Sequence, residues 1–179
     1  MKKLFLILGI SLGLIGCASN QILDGSTLKP MPVVSYVDLD RFMGDWYVIA
    51  TIPTFFEKDA YNPIESYQRD NDGSIATTFT FNKGGLNGPT KIYRPRGFIK
   101  DKLTNAIWDM QFFWPVKADY RIVYLDDNYQ QTIIGRNSRD YVWIMARTPT
   151  ISQQDYLNLV ALVDSLGYDL DALQKAIHK

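Results

Sequence analysis

Between Gly44 and Arg147 the chain alternates β-prone runs with tight turns at intervals of about ten residues. That rhythm restricts it to an antiparallel barrel or sandwich. The first strand lies in Met43–Ala50, where Gly44 supplies a tight bend before Trp46. In a strand, Trp46, Val48 and Ala50 share one side, and Tyr47 and Ile49 the other. Further strands are predicted at Ile64–Arg69, Ile75–Phe81, Thr90–Lys100, Asn105–Phe113, Asp119–Leu125, Tyr129–Gly135 and Tyr141–Arg147. Pro95 and Gly97 mark a bend or bulge in the fourth. Asn71–Ser74, Trp114–Lys117 and Asp126–Asn128 read as turns, and Lys83–Pro89 as a flexible connection. Long crossovers are missing, which favours an up-and-down order over a sandwich. Eight such strands can close and leave room for one small ligand.

One helix follows the last strand. Ser152 is its N-cap, Asp155 lies near the free amides, and Ile151 with Tyr156 forms a hydrophobic staple. Tyr156, Leu159, Val160 and Val163 make an apolar stripe, and Gly167 ends it. A barrel wall is the only partner large enough for that stripe. Asp38–Met43 predicts one helical turn, and Asp169–Ile177 a short terminal helix.

The first residues carry different information. Lys2 and Lys3 precede a short apolar run from Leu4 to Ile15, a secretory signal too short to span a bilayer. The run ends in Leu14-Ile15-Gly16-Cys17, which resembles a bacterial lipobox, and Cys17 is the only cysteine. Acylation of Cys17 is the expected outcome, because no disulfide can form within the chain. Residues 1–16 are then a signal peptide, 17–35 a lipidated tether and 36–179 the folded domain. Basic and acidic residues balance at 19 each, so nucleic acid is not an expected partner.

Three motifs resemble the signatures of the lipocalin family. They are Gly44-Asp45-Trp46-Tyr47, the turn Leu125-Asp126-Asp127-Asn128-Tyr129, and Arg147 at the end of strand eight. The second lacks the usual Thr before Asp. The resemblance implies an all-β fold: an eight-stranded up-and-down antiparallel β-barrel with one C-terminal α-helix packed outside. It also implies that Arg147 covers the indole of Trp46 at the closed end, with no part in ligand binding. The strings Asp140–Ile144 and Arg147–Ser152, with the lipobox, resemble bacterial outer-membrane lipocalins. Ala18 after the cysteine then implies sorting to the outer membrane, facing the periplasm, and relatives of this kind can pair as homodimers.

The interior decides function. Anchoring each strand's alternation on its largest residues points Thr77, Phe79, Tyr93, Gly97, Trp108, Met110, Phe112, Tyr120, Ile122 and Trp143 inward as candidate ligand-binding residues. The resemblance implies a fatty acid or lysophospholipid ligand. Lys91, Arg94 and Arg96 are alternative partners for its head group. Pro53–Glu57 is either a lid, a lipid contact or wall packing. The only histidine is His178, near the C-terminus, and no His/Cys cluster has zinc spacing. The expectation is a binder without metal or cofactor, not an enzyme. The alternatives are a structural envelope lipoprotein without ligand and a lipocalin-fold enzyme acting on a lipid.

Overall fold

The computed structural model describes residues 29–179. Cys17, the signal segment and the tether up to residue 28 lie outside the described residues. The elements run α1 (Leu39–Phe42), β1 (Gly44–Ile52), β2 (Ala60–Arg69), β3 (Ile75–Lys83), β4 (Thr90–Tyr93), β5 (Arg96–Ile99), β6 (Ile107–Phe113), β7 (Val116–Leu125), β8 (Gln131–Gly135), β9 (Val142–Ala146), α2 (Gln153–Ser165) and β10 (Gln174–Lys175). Each barrel strand pairs antiparallel with the next, and β9 pairs back onto β1 to close the sheet. β4 and β5 both pair with β3 and form one barrel strand broken at Arg94–Pro95. The barrel therefore has eight strands.

Two cores follow from the strand alternation. The inner one contains Trp46, Val48, Tyr67, Phe79, Trp108 and Met145, with Phe42 of α1 packed into the closed end. The outer one joins Ile49, Ile133, Ile144 and Ala146 to Leu159 and Val163 of α2. Ser152 accepts the Asp155 N–H at the helix start, and Gly167 takes φ +86° at its end.

Three local expectations change. Ala50 does not face inward with Trp46 and Val48. A bulge between Val48 and Ala50 in the pairing with β9 moves it to the outer core. Val116 and Lys117 already belong to β7, so the turn before it is shorter. Asp169–Ile177 is not a helix: a 3-10 turn at Leu170–Ala172 leads into β10, which pairs with Ala50 and Thr51 of β1. β1 pairs with β2 only from Gly44 to Tyr47, so its upper half presents a free edge. The tail satisfies those backbone groups, with Ala176 N–H donating to Ile49 O at 2.9 Å. Met31, assigned to the tether by sequence, is buried in the outer core, and Val34 N–H donates to Ile122 O. The described members of both cores lie within residues 31–179.

The closed end is tied by Arg147. Its guanidinium lies 3.8 Å from the Trp46 ring centre and donates to the carbonyls of Arg41, Phe42, Met43, Asp45 and Tyr129 at 2.8–3.3 Å. A lysine has no planar fork to serve these acceptors. Arg147→Lys is expected to lower stability by about 3 kcal/mol, read as a fall in the urea midpoint at unchanged slope.

Candidate functional site

The lower half of the barrel is filled. Trp108 stacks on Tyr120 (5.1 Å, 15°), and Phe42 meets both Tyr67 and Trp108. A Cβ at Gly97 would stand 3.2 Å from the Trp108 ring and 3.3 Å from Ile75 Cβ, a tight fit in the filled lower half. The hydroxyls of Tyr67 and Tyr120 meet at 2.7 Å and form the floor of the space above.

That space is a small apolar cavity, open to solvent at one side. Thr77, Met110, Ala118, Ile134, Trp143 and Met145 line its wall, with Phe112 towards the mouth. The Thr77 hydroxyl lies 3.9 Å from the Met110 sulfur, so even this polar wall residue offers little to water. Around the mouth, Phe55, Phe113 and Trp114 are 76%, 58% and 85% exposed. Glu57 lies close by, held by its own donors. Its carboxylate accepts from Trp143 Nε1 and Thr54 N, each at 2.7 Å, and fastens the Pro53–Glu57 loop to β9.

Five sequence candidates line this cavity: Thr77, Met110, Phe112, Tyr120 and Trp143. The other five do not. Gly97, Trp108 and Ile122 point inward but belong to the filled closed end. Phe79 borders a separate cleft beside the C-terminal tail. Tyr93 packs against Phe81 and Phe56. Alternation identifies the face of a strand but not its height in the barrel. Of the head-group candidates, Arg96 is engaged at the closed end by Asp70 and Asp72 at 3.0 and 2.9 Å. The cation that does line the cavity is Arg136, which sequence reasoning missed.

Sequence reasoning also missed Glu65. It faces inward from β2, one inward position above Tyr67, and its buried Oε2 has no hydrogen-bond partner among the described residues. A charged residue in an alternating strand reads as solvent-facing, so alternation of large residues gave no signal. Burial, with the charge of Glu57 as the smaller cause, raises the Glu65 pKa well above the usual 4.5. Glu57 is raised as well, by burial against the lowering effect of its hydrogen bonds to Trp143 and Thr54. Burial likewise pushes Tyr67 and Tyr120 well above 10.

The lipocalin-like domain family matches residues 37–178. The chain belongs to the lipocalin family. It is 32% identical over 156 residues to temperature-induced lipocalin-1 of Arabidopsis thaliana, covering 82% of each chain. It is 28% identical over 174 residues to the outer membrane lipoprotein Blc of Escherichia coli K12, covering 89% of this chain and 92% of that one. Among solved structures, insecticyanin from the tobacco hornworm Manduca sexta superposes with a TM-score of 0.65 at 17% identity, covering 85% and 86%. This last likeness concerns the fold. A lipocalin barrel with an apolar cavity open at one end makes the protein a binder of small hydrophobic ligands.

Glu65 has a consequence for stability. A glutamate whose native pKa stands above its unfolded value holds its proton more tightly when folded. The stability it contributes is full below pH 4.5 and is lost as pH rises through the native value. The urea midpoint of the wild type is expected to fall between pH 5 and pH 8, and that of Glu65→Gln to fall less. Parallel pH profiles of the two proteins would contradict this origin.

Proposed function

We propose that this lipocalin carries a fatty acid or lysophospholipid at the bacterial envelope, held to the outer membrane by acylated Cys17. The observation that carries the reading is the open cavity above the Tyr67–Tyr120 floor, walled by Met110, Ile134, Trp143 and Met145. An acyl chain suits such walls. Burying a dozen methylenes at ~0.8 kcal/mol each gives a gross ~10 kcal/mol, from which association removes several, leaving micromolar binding. The relative from E. coli is named as an outer membrane lipoprotein, which supports the envelope part together with the lipobox. The exposed rings of Phe55, Phe113 and Trp114 suit contact of the mouth with a lipid surface.

A carrier is favoured over a catalyst. His178 bonds to the Val48 carbonyl at 2.8 Å and packs edge-on against Tyr47, on the outer seam of the barrel. It does not line the cavity.

The test uses the chain from Ala18 on, which retains both cores. A fluorescent fatty acid is expected to bind at micromolar concentration and to be displaced by lysophospholipid. Ala118→Trp, which places an indole in the cavity, is expected to weaken uptake at least about tenfold with the near-ultraviolet circular dichroism of a folded barrel retained. Absence of uptake by the wild type would favour a ligand-free structural lipoprotein. The anchor has its own test: in bacteria, Cys17→Ser is expected to abolish incorporation of radiolabelled palmitate and to move the protein out of the membrane fraction.

A further inference from the structure

Among the described residues, two buried side-chain polar atoms have no hydrogen-bond partner: Glu65 Oε2 and Arg136 Nε. Both residues line the same cavity. Arg136 lies at the mouth, just past the end of β8, and spends one terminal nitrogen on Asp140 at 3.0 Å. Glu65 lies at depth, in register with Trp46 on β1 and Phe79 on β3. No cation forms an ion pair with it among the described residues; the groups that face it are Glu57, Tyr67 and Tyr120.

An orphaned donor at one end of a cavity and an orphaned acid at the other are a costly arrangement for an empty barrel. A ligand with a single polar end satisfies only one of them. We propose that Glu65 and the Tyr67–Tyr120 pair form a polar floor that hydrogen-bonds a hydroxyl or carbonyl oxygen at the leading end of the ligand, while Arg136 takes an anionic group at its trailing end. The ligand class is an acyl chain oxygenated at both ends, such as an ω-hydroxy carboxylic acid. The inference rests on the carrier reading above and narrows its ligand.

The chemistry of the floor supports an oxygen over an ammonium. Burial, with the charge of Glu57 beside it, favours the neutral form of Glu65, which offers an O–H and a carbonyl in place of a charge. In the Tyr67–Tyr120 pair one hydroxyl donates to the other, and the second proton remains available. A leading hydroxyl can therefore accept from the pair and exchange hydrogen bonds with Glu65. A leading methyl leaves the acid unpaired.

Calorimetric titration of the chain from Ala18 on with dodecanoate, 12-hydroxydodecanoate and dodecylamine tests this. The wild type is expected to bind the hydroxy acid at least as tightly as dodecanoate. An apolar floor would instead penalise the hydroxyl about tenfold or more. Glu65→Leu is expected to tighten dodecanoate and weaken the hydroxy acid, reversing their order by at least about tenfold. Glu65→Gln, which keeps a neutral donor and acceptor, is expected to retain the wild-type order. A hydroxyl penalty already present in the wild type, or an order unchanged in Glu65→Leu, overturns the polar floor while leaving the carrier reading intact. Dodecylamine binding more tightly than both acids overturns it in favour of an ionised Glu65. No binding of any of the three overturns both readings.

Discussion

One guanidinium holds the closed end together. Arg147 directly follows β9, and its donors reach the last carbonyls of α1, the first residues of β1 and the turn before β8. The helix-end carbonyls of α1 have few intrahelical partners, so a cation with a planar fork satisfies several at once. Trp46 supplies the other face of that contact, and its own indole N–H donates to Phe42 O at 2.9 Å. Tyr129 joins the same knot: its hydroxyl accepts from Asp38 N at 2.8 Å, and Arg41 lies 4.0 Å over its ring. Three segments distant in sequence are thereby fixed at one rim. The opposite rim can then remain open.

This division explains why the interior is uneven. Bulky rings fill the lower half, where Trp108, Tyr120 and Phe42 pack face and edge. Above the tyrosine pair the wall includes smaller or slimmer residues, Thr77, Ala118 and Met145 among them. Stability is concentrated where the ends of strands are tied. The space for a ligand lies where a filled core would otherwise have added more.

Much of this was legible in the residues. Gly44, Ser152 and Gly167 mark boundaries by conformations or caps that few other side chains supply, and the structure uses each in that way. The eight barrel strands follow from alternation and turn chemistry. What failed was non-local. The run Asp169–Ile177 has a helix-like composition, but the free upper edge of β1 captures it as a strand. The bulge at Val48–Ala50 is set by pairing with β9, a partner far along the chain. Gly97, Trp108 and Ile122 were placed on the right face but at the wrong height, because a period of two carries no information about depth.

Glu57 and Glu65 make the sharpest comparison. They are the same residue type, eight positions apart, and both are withdrawn from water by the barrel. Glu57 has two donors at 2.7 Å, one from the loop it caps and one from Trp143, so its burial has a structural explanation. Glu65 has none. Removing Glu57 would strand two N–H groups, whereas removing Glu65 would strand nothing in the empty barrel. A buried acid left unpaired among the described residues, at the floor of an apolar cavity in the barrel, calls for the polar leading end of the ligand we propose.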